Sequence, residues 1–230
     1  MSGRAQRDAR QRGITLIELL VSMIILGVVT TLLLLGWTSL QKSYAHSVKG
    51  NNARAEVRDA MARVTRELRD AQPAALTTPA SSPFTLANPM EVDFYSAFNS
   101  AGVRADGTGI GALRLTRIYL DTSGTAAQKT LYWQRDSNAI VGFDSADRKI
   151  VLARNMVNAS VPSTGSPTAI FTYGYRDGSG NFTTATTIAS ADLGKIISVQ
   201  VRMIVDANLL RSPSPADLQT TVRPRNAPQK

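Results

Sequence analysis

A carboxylate at the mouth of an uncharged stretch is the feature of this chain whose chemistry needs explaining. Glu18 stands five residues after Gly13, and no charged side chain follows it from Leu19 to Gln41. Within hydrocarbon an ionised carboxylate costs roughly 2.5–3.5 kcal/mol even on a lenient insertion scale, and less near an interface. A partner of opposite charge must offset that cost. The other candidates for chemistry are sparse. His46 is the single histidine and there is no cysteine, which excludes disulfides and Cys-His pairs and leaves the usual zinc arrangements without ligands. Asp177, Ser179 and Asn181 set oxygens at alternate positions, as calcium loops do. Calcium takes six to eight oxygen ligands and an EF-type loop closes on a glutamate; three oxygens without that glutamate read as a turn. No Gly-x-Ser-x-Gly elbow, Ser-x-x-Lys set or phosphate-cradling glycine loop occurs in a suitable context. The aromatics Phe94, Tyr95, Tyr119, Tyr132, Trp133, Phe171, Tyr173 and Tyr175 lie in β-rich stretches, where they are core more often than stacking platforms. The expectation is a chain with no catalytic residue, no metal and no cofactor, and not an enzyme.

The element that positions Glu18 is the apolar stretch itself. A helix of about 20 apolar residues crosses a hydrocarbon layer of roughly 30 Å, and this run is long enough. Arg4, Arg7, Arg10 and Arg12 precede it against the single acid Asp8, which favours a cytoplasmic N-terminus by the positive-inside rule. An ordinary secretory signal carries a shorter apolar core followed by a small-residue cleavage site, and Trp37-Thr38-Ser39-Leu40-Gln41-Lys42 offers none. The periodicity then continues: Ala53, Val57, Ala60, Met61, Val64 and Leu68 recur at spacings of three and four, an apolar stripe on a charged helix. Asp59 with Arg63 and Arg66 with Asp70 add i,i+4 pairs. These patterns predict one helix from about Thr15 to Gln72, with a bend or melted turn at Gly50-Asn51-Asn52, whose residues are poor helix formers.

Pro73, Pro79, Pro83 and Pro89 end the helical pattern. Short β-branched and aromatic runs follow, predicting strands over Met90–Ser96, Ala112–Leu120, Thr130–Arg135, Lys149–Ala153, Ala169–Tyr175 and Lys195–Val205. In the last of these, Ile197, Val199, Val201 and Met203 are expected on one face and Ile196, Ser198, Gln200 and Arg202 on the other. Asp177-Gly178-Ser179-Gly180 reads as a hairpin turn. From Arg211 onward, Pro213, Pro215, Pro224 and Pro228 without periodicity predict an irregular tail. The formal charge of +9 is compatible with nucleic acid, anionic lipid or simple solubility.

The string Arg12-Gly13-Ile14-Thr15-Leu16-Ile17-Glu18 resembles the N-terminus of type IV pilin-like precursors. The resemblance implies cleavage between Gly13 and Ile14 by a prepilin peptidase and N-methylation of Ile14. It also implies a Glu18 that pairs with a free α-amine during filament assembly, supplying the missing partner. Ile14 departs from the phenylalanine commonest at that place. Major subunits of the family often carry a proline in the membrane half, and none occurs here between Ile14 and Gln72, which points to a minor subunit. Ile150 to Val157, Phe171 to Asp177, Ile196 to Val201 and Arg223-Pro224-Arg225-Asn226 are similar in order to the minor pseudopilin J family of type II secretion and to related minor pilins.

The expected fold class is α+β, a long N-terminal helix packed on an antiparallel β head. Its expected parts are a cleaved leader 1–13, a transmembrane and assembly helix 14–41, an amphipathic stem 42–72, a Pro-rich connector 73–89, a β head 90–210 and an irregular tail 211–230. The implied partners are other pilin or pseudopilin subunits, the prepilin peptidase, an inner-membrane assembly platform and membrane lipid. The implied location is the bacterial inner membrane, single-pass with the N-terminus inside, the head outside the cytoplasm and then in a filament. A DNA-capturing subunit of an uptake system is the alternative, resting on Arg211, Arg223, Arg225 and Lys230. A plain membrane-anchored domain is the third.

Overall fold

The computed structural model describes residues 15–73, 82–96, 113–136, 143–144, 147–161, 165–209 and 215–225. Two compact units divide the chain, Met1–His46 and Ser47–Lys230. A single helix, α1 (Leu16–Arg69), is followed by strands β1 (Phe84–Ala87), β2 (Glu91–Ser96), β3 (Arg114–Asp121), β4 (Lys129–Arg135) and β5 (Arg148–Met156). Then come β6 (Phe171–Arg176), β7 (Phe182–Ala185), a 3₁₀ turn (Ser190–Lys195), β8 (Ile196–Val205) and β9 (Ala216–Val222).

All pairings between these strands are antiparallel, in the order β1-β2-β3-β4-β5-β8-β6-β7 with β9 on β8. The apolar stripe of α1 buries Ala53, Val57, Ala60, Val64 and Leu68 in one cluster with Val92, Phe94, Ile118, Leu131 and Trp133 of the sheet. Each fully buried Val, Leu or Phe is worth about 1.5–3 kcal/mol of removal from water, so this stripe is what fixes the second half of the helix to the sheet. The result is the expected α+β arrangement, a long helix packed on an antiparallel sheet as in pilins.

Several local expectations are corrected. The helix runs unbroken through Gly50-Asn51-Asn52. Glycine and asparagine cost about 1 kcal/mol or less each in a helix, which the burial of Ala53 and Val57 immediately afterwards outweighs. The helix stops at Arg69 and not Gln72, because Ala71 leaves it to bridge Ser96 and the Gln72 amide donates to the Tyr95 carbonyl at 2.9 Å. The stretch read as a connector contains β1, whose Phe84 and Ala87 are buried, with Pro83 and Pro89 just outside the strand where no ladder amide is needed.

The stretch read as a tail contains β9, paired in unbroken register from Val205↔Ala216 to Val199↔Val222. An edge strand with a largely polar sequence carries little alternating apolar signal, since its hydrogen bonds and not its side chains hold it. In β8, Val199, Val201 and Met203 are buried as expected, but Ile196 is buried in place of Ile197. Gly174 pairs with Ser198 and Tyr175 with Ile196, so Ile197 is the extra residue of a bulge that reverses the facing.

Asp177 begins the hairpin turn between β6 and β7, and its Oδ1 accepts from the Ser179 and Asn181 amides, both at 2.9 Å. Gly180 takes φ +83°, the left-handed region that favours glycine. Gly174 has a different reason for being glycine. A Cβ there would lie 2.6 Å from the Phe182 Cζ and 2.5 Å from the Ser198 Oγ, because the Phe182 ring lies across β6.

Candidate membrane and assembly helix

From Leu16 to Val48 the large apolar side chains of α1 are exposed, among them Ile17, Leu20, Ile24, Leu33, Leu35, Trp37 and Leu40. None of the most apolar 18-residue window is buried. At 1.5 Å per residue, Leu19 to Gln41 extends about 34 Å, enough for the hydrocarbon layer. Four hydroxyls in this stretch are satisfied by the helix that carries them. Ser22 donates to the Glu18 carbonyl at 2.7 Å, Thr30 to Leu26 and Thr31 to Gly27 at 2.8 Å, and Thr38 to Leu35 at 2.9 Å. Hydroxyls bonded back onto their own backbone require no water, which is the condition for carrying them into lipid.

Glu18 lies in the first turn of α1 with its side chain exposed. Its amide donates to Thr15 Oγ1 at 3.3 Å, an N-terminal cap formed by a Thr-x-x-Glu string. An acid there also faces the positive end of the helix dipole, a favourable term of about 0.3–1 kcal/mol. Both effects are smaller than the insertion cost of a buried carboxylate, so the cap and dipole do not by themselves account for an acid at this position. The cap is legible in the sequence once the helix start is known. Gly13 and Ile14 lie outside the described residues, as do Arg211 and Lys230. His46 lies on α1, and among the described residues no group of His, Asp and Glu is placed to hold a metal ion.

A second constellation, unforeseen from sequence, joins the end of α1 to the sheet. Glu67 is 1% exposed; its Oε2 accepts from Arg135 of β4 at 2.8 Å and from Ser96 of β2 at 3.1 Å. Arg135 Nε also donates to Thr116 of β3 at 3.2 Å. The Arg63 and Arg135 guanidinium groups lie 4.6 and 4.9 Å from the Trp133 ring centroid, cation–π contacts in a desolvated setting. Burial raises the Glu67 carboxyl above its ordinary value against the pull of Arg135, and burial also lowers both Arg135 and Arg63. Glu67 Oε1, Arg63 Nε and Trp133 Nε1 are buried without a hydrogen-bond partner. The available signal was Glu67 itself, a charge seven residues after Ala60 and three after Val64 on the apolar stripe.

On the other sheet face Arg117 grips Asp93 through Nε and Nη2, at 3.0 and 2.9 Å, and meets Glu91 at 2.9 Å. Tyr119 and Tyr132 stack at 5.6 Å with Lys149 Nζ 3.9 Å from the Tyr132 centroid. Phe94, Phe171, Tyr173 and Trp133 are core.

Residues 8–34 match the prokaryotic N-terminal methylation motif. Comparison with curated proteins gives no match. The motif runs from the basic N-terminal residues into the exposed apolar half of α1, and together they support a type IV pilin-like precursor anchored in a membrane.

Proposed function

We propose that this chain is a minor pilin or pseudopilin, a structural subunit without a reaction of its own. It enters the inner membrane as a precursor with its N-terminus inside, is cleaved after Gly13 by a prepilin peptidase, is methylated at Ile14 and assembles through α1. The observation that carries this reading is the methylation motif at residues 8–34 running into the first half of α1, where the large apolar side chains are exposed. A single-pass span would require only the helix; the motif adds the processing. Its partners are other pilin or pseudopilin subunits and an inner-membrane assembly platform.

The mechanism is an exchange of surroundings. In the membrane the exposed Leu, Ile and Val side chains of Leu16 to Leu40 contact lipid; in a filament they contact helices of the same kind, so the exchange costs little hydrophobic free energy. Register then rests on Glu18. An unpaired carboxylate among apolar helices is penalised by several kcal/mol, and a neighbouring subunit's free α-amine removes the penalty only at the correct axial step. Glu18→Ala, and Glu18→Gln as the closer replacement, are expected to insert and be cleaved normally yet to be lost from sheared filaments. Wild-type amounts of either variant in filaments would contradict the role.

A further inference from the structure

We propose that Trp37, Lys42 and Tyr44 are the collar by which α1 grips the phospholipid headgroup layer at the C-terminal end of its apolar run, and that this grip leaves Glu18 at the opposite face of the membrane. The inference rests on the membrane-anchored reading given above and adds a depth to it. The chain has two tryptophans and six tyrosines, and among them Trp37 and Tyr44 alone are exposed, at 62% and 74%. Trp133 and Tyr173 are core, and the other four tyrosines are half-buried on the sheet. Seven residues apart on a helix of 3.6 residues per turn, the exposed pair shares one face, about 10 Å apart along the axis. An aromatic ring with a polar tip suits a boundary where one end is apolar and the other wet.

Charge alone does not set how deep α1 sits. Between Glu18 and Lys42 the helix rises about 36 Å, roughly 6 Å more than the hydrocarbon layer, so it is free to slide by about one turn before either charge enters lipid. Trp37 removes that freedom. From Glu18 to Trp37 the rise is about 28 Å, close to the roughly 30 Å of hydrocarbon. With the indole at one boundary, Glu18 falls at the other, where an ionised carboxylate costs less than in the hydrocarbon. A boundary at Tyr44 instead would draw Lys42 into the hydrocarbon and leave Leu19, Leu20 and Met23 in water.

The partner is the headgroup layer of a glycerophospholipid bilayer, selected by the chemistry on the two sides of Trp37. On its N-terminal side, Leu32 to Leu35 are apolar and exposed. On its C-terminal side, Gln41, Lys42, Ser43 and Tyr44 are polar-tipped and exposed, and Lys42 brings an ammonium to the level of the phosphates. Side chains on a helix tilt toward its N-terminus, so Lys42 and Tyr44, about 8 and 10 Å beyond Trp37, reach back into the headgroups. The same arrangement bears on assembly. Moving α1 outward by one turn takes the indole out of its boundary and carries Glu18 into the hydrocarbon at the same time. Both ends therefore hold the precursor at one depth until a neighbouring subunit's α-amine is there to receive the carboxylate.

The test uses the full-length chain in phosphatidylcholine liposomes whose acyl chains carry bromine, a contact quencher of tryptophan, either near the headgroup or near the chain ends. Trp37→Phe supplies the signal of Trp133 alone for subtraction. Bromine near the headgroup is expected to quench Trp37 at least about twofold more than bromine near the chain ends. Stronger quenching by chain-end bromine would overturn the proposal and leave the membrane anchor standing. So would a protein that floats with the liposomes while neither bromine quenches Trp37, the sign of a ring in water or covered by another subunit. Failure to float would instead remove the membrane-anchored reading itself. A second measurement reads the grip. The chain has no cysteine, so a nitroxide on Ser39→Cys reports depth from one place. Trp37→Leu is expected to carry that label deeper by up to about one turn, roughly 5 Å, because the free travel lies toward Lys42. Trp37→Tyr keeps an amphipathic ring and should hold the wild-type depth. An unchanged depth in Trp37→Leu, or an equal shift in Trp37→Tyr, would overturn the role of Trp37.

Discussion

The two halves of α1 have the same backbone and opposite surroundings. Before His46 the large apolar side chains are exposed and each of the hydroxyls of Ser22, Thr30, Thr31 and Thr38 bonds back onto the helix. After Ser47 the apolar residues form one buried stripe, and the polar groups reach outward to the sheet, Glu56 to Arg154 and Glu67 to Arg135. A helix that satisfies its own polar atoms is built for a solvent that offers no hydrogen bonds. One that lends them to neighbours is built for a fixed partner. On the proposed function, the contrast separates a part that changes surroundings from a part that keeps them.

The largest expected effect falls just before the first half. Replacing Gly13 with a bulky residue such as leucine should abolish cleavage, leaving only precursor by intact mass; recovery of mature protein would remove the proposed processing site. In the second half, Phe94→Ala should lower head stability by about 3–5 kcal/mol, the usual cost of emptying a filled aromatic site. Leu33→Ala should leave head melting unchanged, and equal losses from the two substitutions would erase the distinction between the halves.

Glu67→Ala leaves Arg135 buried without its carboxylate, for which about 3–5 kcal/mol is expected, measured by denaturant unfolding in detergent. Gly174→Ala sets a Cβ against Phe182 and Ser198 and should cost about 1–3 kcal/mol; no change in unfolding midpoint would mean that the ring moves freely.

The smallest effect is a dependence on pH. Burial raises the Glu67, Glu91 and Asp93 carboxyls, partly opposed by Arg135 and Arg117. Between the ordinary carboxylate values and the raised ones, the folded head keeps protons that the unfolded chain has released. Stability from these groups is therefore full below the ordinary range and falls as pH rises through the raised values. Glu67→Gln removes one of the three titrations, so its melting temperature should change less with pH across that interval than the wild type's. An identical profile would remove Glu67 from the account.

Legibility in the sequence followed the same division. The apolar run, the stripe from Ala53 to Leu68 and the six expected strands are periodic signals, and each corresponds to an element within a few residues of its expected ends. What stayed hidden depends on distant partners. Strand β9 is held by the register of β8, the bulge at Ile197 by its pairing with β6, and the hold of Arg135 and Ser96 on Glu67 spans 68 and 29 residues. Arg225 was legible as a basic residue; that its amide meets Arg69 was not. Glu18 was legible as an anomaly, and its cap by Thr15 follows from the local Thr-x-x-Glu spacing.

The most direct measurement is the intact mass and N-terminal sequence of membrane-extracted protein, expressed with and without a prepilin peptidase. The account predicts full-length precursor without the peptidase and, with it, a chain beginning at N-methylated Ile14. A chain left uncut by the peptidase, or cut beyond the apolar run, would contradict it and make α1 a plain anchor or a secretory signal.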